Sequence, residues 1–239
     1  MATPSTRILV DAGLSFKDLS ARLALIGEDP RELAAVLVTH EHCDHVSGLP
    51  VLVKRLGIPI YLTRLTAPAI AWNGAVPHVE TFQAGCRFSI GDIEIDSFTI
   101  PHDAADPVAY TFRAEGLKIA VVTDLGYIPE SVKYHLHGAD LLVLESNHDL
   151  EMLRVGPYPW PVKQRVMSRK GHLSNDDMEA FVRHDLDPST ATLILGHLSQ
   201  NNNFPAQVRL VAGQALGSRS LATRLVVAEQ RQPTEVFTL

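Results

Sequence analysis

The sequence predicts a layered α/β protein with its sheets inside. Three observations carry that prediction. Runs such as Ile8-Leu9-Val10, Ala35-Val36-Leu37-Val38-Thr39 and Leu193-Ile194-Leu195 are short, β-branched and continuously apolar, as strands covered on both faces are. They alternate with amphipathic stretches at helical spacing, for example Leu19, Leu23 and Ile26. The chain has 239 residues, 46% hydrophobic and 20% charged, enough to bury a sizeable core without disulfide staples. No internal repeat and no linker composition interrupt it, so one domain over residues 1–239 is expected.

Each element has its own signal. Ile8 to Val10 reads as a strand that runs into an Asp11-Ala12-Gly13 turn, and Ser15 to Ile26 as a helix with Gly27 near its end. The strand Ala35–Thr39 leads straight into His40, and Leu49 to Leu56 is a short helix closed by Gly57. Ile58 to Leu62 is a strand and Thr66 to Trp72 a short helix. Alternation in Arg87 to Ile100 about Gly91-Asp92 predicts a hairpin, and Val108 to Phe112 with Lys118 to Thr123 about Glu115-Gly116 a second. Pro129 to Leu136 is a helix with proline in its first turn, followed by a buried strand over Leu141 to Leu144. Pro157, Pro159 and Pro161 make at least the first half of Met152 to Gly171 a loop. Ser174 caps a helix through His184, with Asp177 at the capping-box position. Leu193 to Leu195 is a strand, Phe204 to Leu216 the last helix and Leu225 to Ala228 the last strand.

Composition excludes several classes. A net charge of −6 is incompatible with a strongly cationic nucleic-acid coat, though a local basic groove survives that average. No apolar run reaches the length of a membrane span, and the first residues lack the apolar segment of a secretory signal. Cys43 and Cys86 lie in different segments without a CxxC spacing, which fits a reduced, cytoplasmic chain.

The chain has 11 histidines, and their placement is what matters. His40-Glu41-His42-Cys43-Asp44-His45 packs three imidazoles and two carboxylates directly after a buried strand. That donor mixture suits Zn²⁺, Mn²⁺ or Fe²⁺. Positions 40, 42 and 45 cannot all point one way on a regular strand or helix, but a turn can divide them between neighbouring ions. Three further candidates follow apolar strands: His102 after Ile100-Pro101, Asp124 after Val122-Thr123, and His197 after Leu195-Gly196. Sites in layered α/β folds cluster beyond strand ends.

His-x-His-x-Asp-His followed by separate His, Asp and His resembles the signature of the metallo-β-lactamase-fold hydrolases, over nearly the whole chain from about Ile8. The resemblance implies a four-layer αββα sandwich: two mixed sheets with helices on the outer faces. It implies that His40, His42 and His102 hold one metal, that Asp44, His45 and His197 hold a second, and that Asp124 bridges them. Val10-Asp11-Ala12-Gly13-Leu14-Ser15, Pro101-His102-Asp103-Ala104-Ala105-Asp106-Pro107, Glu145-Ser146-Asn147-His148-Asp149, Gly171-His172-Leu173-Ser174-Asn175 and His197-Leu198-Ser199-Gln200-Asn201-Asn202 are similar to the YycJ/WalJ group. That group implies a cytoplasmic metallo-hydrolase with 5′-to-3′ DNA exonuclease activity. Its members usually open with a further strand and a Gly/Ser-rich turn, so the first hairpin is expected to be shortened in this chain. Cys43 stands where they commonly carry Ser, and is read as a small side chain turned away from the metals.

The implied chemistry is hydrolysis by a hydroxide shared between two divalent ions, zinc or manganese with iron also suitable, which clamp the attacking and leaving oxygens. Asp44 is expected to orient that hydroxide. His172, just ahead of a helix start, is the first candidate to protonate the leaving oxygen and resembles the non-ligand histidine of ribonuclease Z-type relatives; the lesser alternative is a histidine packed beside the Ser174 cap. His148, with Glu145 beside it, is the second. Lys163, Arg165, Arg169 and Lys170 form a basic cluster downstream of Tyr158 and Trp160, suited to gripping phosphates and stacking bases, and Asn201 is a further substrate contact. A solvated charged face would look the same. His78, His135, His137 and His184 read as surface residues and Cys86 as core. The expected function is a dinuclear metal-dependent phosphodiesterase acting on DNA. The alternatives are a small-molecule phosphodiesterase or thioesterase of the same fold, and a non-catalytic metal-binding regulatory module.

Overall fold

The computed structural model describes residues 1–238. They group into two compact units that interleave along the chain: Met1–Thr99 with Ala104–Ala114 and the residues from Glu235, and Ile100–Asp103 with Glu115–Thr234. Such interleaving leaves no linker to be read in the sequence. The strands belong to two sheets, and helices accompany both units, the α/β class expected.

The first unit carries β1 (Ile8–Val10), α1 (Phe16–Leu25), β2 (Ala35–Leu37), α2 (Cys43–Val46), α3 (Leu49–Leu56), β3 (Ile60–Thr63), β4 (Val79–Phe82), β5 (Arg87–Ile90), β6 (Ile93–Thr99) and β7 (Val108–Ala114). β1 to β4 pair in parallel in chain order, with Ile8 opposite Ala35, Val36 opposite Ile60, and Ile60 opposite Val79. β2 is buried along its whole length, which is why it reads as an unbroken apolar run. Leu19 of α1 and Leu49, Leu52 and Val53 of α3 join Val36, Val38, Ile60 and Leu62 in one core cluster. Ser15 caps α1 by accepting from the Asp18 N–H, and Gly57 ends α3 in the left-handed conformation. β5, β6 and β7 form an antiparallel meander.

Two expectations for this unit change. The helix expected over Thr66–Trp72 is a single 3₁₀ turn, Ala67–Ala69, because the backbone turns extended at Ile70, with φ −86° and ψ 127°. β4 escaped notice because its exposure pattern has no alternation to read.

The second unit carries β8 (Leu117–Val122), α4 (Glu130–Leu136), β9 (Leu141–Glu145), α5 (Leu150–Val155), α6 (Trp160–Val166), α7 (Asn175–His184), β10 (Thr192–Gly196), α8 (Pro205–Ser218) and β11 (Arg224–Val227). β8, β9, β10 and β11 pair in parallel in that order. α7 packs on α8, and α8 on β11. The loop expected from Met152 is instead two short helices. Asp149 caps α5 through the Met152 N–H, and Pro161 falls in the first turn of α6, where a missing N–H costs nothing. The prolines mark the break between two helices, not a long loop.

Candidate metal centre

In the first unit the motif residues follow β2. His42 is the N-cap residue of α2, and the helix then raises Asp44 and His45 one after the other. This turn needs Gly13: a Cβ there would lie 1.5 Å from the Asp44 carbonyl oxygen. The imidazoles of His40 and His42 stand 4.5 Å apart, and those of His40 and His45 4.1 Å apart. His40 and His45 are buried, whereas the Asp44 side chain is 62% exposed. Asp11 organises the group. Its carboxylate lies 2.7 Å from His45 Nδ1 and accepts from both the Thr39 N–H and hydroxyl, each at 2.8 Å. The Thr39 oxygen in turn is 3.0 Å from His40 Nδ1. With Nδ1–H directed at Asp11, the lone pair of His45 is on Nε2, which lies 3.6 Å from Asp44 Oδ2.

In the second unit the donors come from strand ends. His102 Nδ1 donates to the Gly171 carbonyl at 3.0 Å. His197 Nδ1 lies 2.7 Å and His172 Nδ1 2.8 Å from the same Glu145 oxygen, Oε1. Glu145 Oε2 accepts the backbone N–H groups of Leu125, at 3.0 Å, and Leu173, at 3.1 Å. Glu145 is fully buried, which alone would raise its pKa, but the charge and hydrogen bonds of His172 and His197 hold it below the usual carboxylate range. Burial likewise works to lower the pKa of His172, and Glu145 outweighs it, so His172 is raised.

Asp124 Oδ1 sits 3.5 Å from His197 Nε2 and 3.9 Å from His102 Nε2. These separations exceed a hydrogen bond. Two donors on one tetrahedral ion at about 2.0–2.1 Å each lie roughly 3.3–3.4 Å apart, close to the first of these distances. The donor set therefore fits a divalent metal: His45, His102 and His197 are each pinned at Nδ1 by a carboxylate or carbonyl, the outer contact that orients metal-binding imidazoles. His172 also has four-ligand company in Asp124, Glu145 and His197, but its 2.8 Å contact to Glu145 is a hydrogen bond, not a shared ion.

Asp11, Asp124 and His197 all end strands at positive φ, 58°, 61° and 57°. Asp and His are among the few side chains that visit this region readily. In the sequence alone Asp11 carries no role, and Glu145 stands out only as a neighbour of His148. An acidic residue between an apolar strand and a small-residue turn was the available signal for Asp11; nothing local marks Glu145 as a partner of His197, 52 positions away.

The other candidates separate. His148 is 1% exposed, neither ring nitrogen has a hydrogen-bond partner among the described residues, and burial pulls its pKa down to about 4 against the pull of Glu145. It is neutral at pH 7 and shut away from solvent, which disfavours it as a proton donor. Lys163 is buried and donates to the Arg154 carbonyl at 2.7 Å, so it closes the end of α5 and does not face a substrate. Arg165 pairs with Asp103, Arg169 stacks over Tyr127 at 4.0 Å, and Lys170 is exposed. Asn201 donates to the Tyr158 hydroxyl at 3.1 Å, while Asn202 and Asn203 are buried. Cys86, expected in the core, is exposed, as is Cys43.

This strand-end arrangement of pinned imidazoles and a carboxylate defines a metal-dependent hydrolase of the metallo-β-lactamase fold, and the chain belongs to that superfamily: residues 6–197 match the Beta-lactamase superfamily domain. Within it the chain falls in the YycJ/WalJ group. It is 35% identical to the exodeoxyribonuclease YycJ of Bacillus anthracis, over 99% of this chain and 92% of that protein. It is 39% identical to the exodeoxyribonuclease WalJ of Streptococcus pneumoniae, over 85% of this chain and 78% of the relative. Among solved structures, the metallo-beta-lactamase fold protein YhfI of Bacillus subtilis superposes with a TM-score of 0.72 at 19% identity, covering 95% of this chain and 86% of that one. The short form of human tRNase Z gives 0.65 at 17% identity, with 100% and 91% covered. No helix among the described residues is long and apolar enough to cross a membrane.

Proposed function

We propose that the protein is a dinuclear metal-dependent phosphodiesterase acting on DNA, a 5′-to-3′ exonuclease. His40, His42 and His102 would hold one ion, Asp44, His45 and His197 the other, and Asp124 would bridge them. Zinc or manganese suits these N and O donors. Such a pair of ions supplies ionised water at neutral pH and neutralises charge on phosphoryl oxygens. Asp44 orients the nucleophile. Because relatives from Bacillus anthracis and Streptococcus pneumoniae are named exodeoxyribonucleases, DNA is the favoured substrate and the cytoplasm the favoured location.

The observation that carries the phosphodiester reading is His172. Its Nδ1 is held by ionised Glu145 and lies 3.7 Å from Asp124 Oδ1, while its side chain remains 21% exposed. Glu145 stabilises the imidazolium and keeps the Nδ1 proton, so His172 delivers its Nε2 proton outward. A sugar alkoxide leaving from phosphorus needs that proton. A thiolate leaves without it, since a thiol ionises near pH 8.5 (about), and this disfavours the thioesterase reading.

The test is metal analysis joined to a substrate panel of single- and double-stranded DNA, RNA, bis-p-nitrophenyl phosphate and a thioester. Two ions per chain and end-directed loss of nucleotides from DNA are expected. Thioester turnover with every phosphodiester inert would overturn the reading. A chain that binds metal yet hydrolyses nothing would return it to the regulatory class.

A further inference from the structure

In the second unit β9 and β10 end together, with Glu145 opposite Gly196. Just beyond that pair, three consecutive residues grip the chain that carries His197. Glu145 Oε1 lies 2.7 Å from His197 Nδ1. The Ser146 N–H donates to the Gly196 carbonyl at 3.0 Å. Asn147 makes two contacts: its Nδ2 donates to the His197 carbonyl at 2.9 Å, and its own carbonyl accepts the Ser199 N–H at 2.8 Å. Between these contacts His197 stands at φ 57°. A residue with a side chain stays in the left-handed region where its surroundings over-determine it. The grip is itself braced. Asn147 is buried, and its N–H donates to the Leu173 carbonyl at 2.9 Å. Behind it Ser146, Asn175 and Asn203 form a buried polar cluster. Ser146 Oγ donates to Asn175 Oδ1 at 2.7 Å, and Asn203 Nδ2 donates to the Ser146 carbonyl and to Asn175 Oδ1, each at 2.9 Å. Asn175 Nδ2 returns a bond to Asn203 Oδ1 at 3.1 Å. Such a network specifies one arrangement, because any other leaves an amide unpaired in the core.

We propose that Asn147 is a positioning residue for His197: its amide holds the His197 carbonyl in the left-handed turn that sets the imidazole to receive a divalent cation. The proposal rests on the reading of His197 as a metal ligand and adds a residue to that ligand's support. With Nδ1 held by Glu145 and the peptide held by Asn147, the side chain is fixed at both of its ends, and the place of Nε2 follows. The type of side chain follows from the same geometry. Where the β10 ladder stops, the next carbonyl needs a donor from elsewhere. Asparagine supplies one, whereas an ionised aspartate of the same shape offers only acceptors. Asn147 touches no ring of the donor set among the contacts it makes here, so its effect passes through the backbone of His197.

The test loads the full-length unaltered protein, His197→Ala and Asn147→Asp with cobalt(II), whose visible absorption reports the number and geometry of its ligands, and titrates each against a chelator. His197→Ala sets the signature of a lost ligand. Asn147→Asp should weaken cobalt binding by about 10-fold or more, the range for contacts that orient ligands, and should move the absorption towards that of His197→Ala. Urea unfolding of the cobalt-free proteins separates this from a loss of fold. A lowered urea midpoint with unchanged cobalt affinity and absorption overturns the proposal and leaves Asn147 a part of the scaffold alone. Asn147→Ala, which also lacks the donor, carries the same measurement should Asn147→Asp not fold. If His197→Ala changes the cobalt signature and neither Asn147 variant does, the proposal fails and the ligand reading stands. If His197→Ala binds cobalt as the unaltered protein does, the ligand reading fails and the proposal with it.

Discussion

The two groups of candidate metal donors, one in each unit, are built by opposite strategies. In the first unit the donors are contiguous. His40, His42, Asp44 and His45 leave one strand, turn through α2, and depend on a single distant carboxylate, Asp11, which holds one of them at 2.7 Å. In the second unit no two donors are neighbours in sequence. His102, Asp124 and His197 come from different strand ends, and one buried carboxylate, Glu145, holds His197 and the non-ligand His172 together, with two backbone N–H groups saturating its other oxygen. The lesson is that a compact motif needs little outside help to arrange its donors, whereas a dispersed set needs a hub. Glu145 should therefore matter more than Asp11, although neither is placed on a metal.

Four changes test that contrast. His172→Ala has the largest expected effect, because it removes the proposed proton donor and leaves the proposed metal ligands intact. DNA hydrolysis should fall by about 10²–10⁴-fold, while bound metal and bis-p-nitrophenyl phosphate turnover change little. An equal loss on both substrates would mean that His172 serves metal binding, not proton transfer. Glu145→Gln follows. It breaks two imidazole contacts at once, and metal affinity measured by competition with a chelator should drop by about 100-fold, the upper end for such outer contacts.

His148 comes third. Its pKa is pushed to about 4 in the fold against an ordinary value of 6.5, so between those values the unfolded chain binds more protons. Its contribution is complete above pH 6.5 and is lost as pH falls towards 4. Between pH 7 and pH 5 the loss is about 2 kcal/mol. His148→Leu should flatten that part of the pH–stability curve read by urea unfolding, because no hydrogen bond is lost with the ring. An unchanged curve would show that His148 is solvated in solution. Asp11→Asn is expected to be the smallest: metal affinity down by about 10-fold, the lower end of the same range, with the positive φ at that position tolerated by Asn. If Asp11→Asn proved costlier than Glu145→Gln, the contrast between motif and hub would be wrong.

Much of the architecture was legible because its signals are local. β2 and β10 are apolar throughout because both faces are covered, and Ser174 followed by Asp177 fixed the start of α7, where the Ser174 oxygen accepts the Asp177 N–H at 3.0 Å. The hairpin of β5 and β6 was visible as alternation about Gly91-Asp92. What misled was also local in form: three prolines in five residues resemble a loop, yet they flank the ends of α5 and α6, where proline is compatible with helix. Lys163 resembled a phosphate ligand because charge was counted without direction. On α6 it points inward to the Arg154 carbonyl, while Arg165 on the same helix points outward to Asp103.

By itself the sequence determined which side chains are able to hold metal, since imidazole and carboxylate chemistry and the spacing of His40 to His45 are properties of the chain. It also placed His102, Asp124 and His197 at strand ends, because an apolar run must stop where the sheet does. Tertiary structure alone decided which nitrogen of each ring carries the lone pair, because that depends on Asp11, Gly171 and Glu145, residues brought up from 34, 69 and 52 positions away. It alone separated His172 from His148: both sit beside Glu145, but one is gripped at Nδ1 and reaches solvent, and the other is sealed in the core. A hydrogen bond is a relation between two places in space, and a single stretch of sequence specifies only one of them.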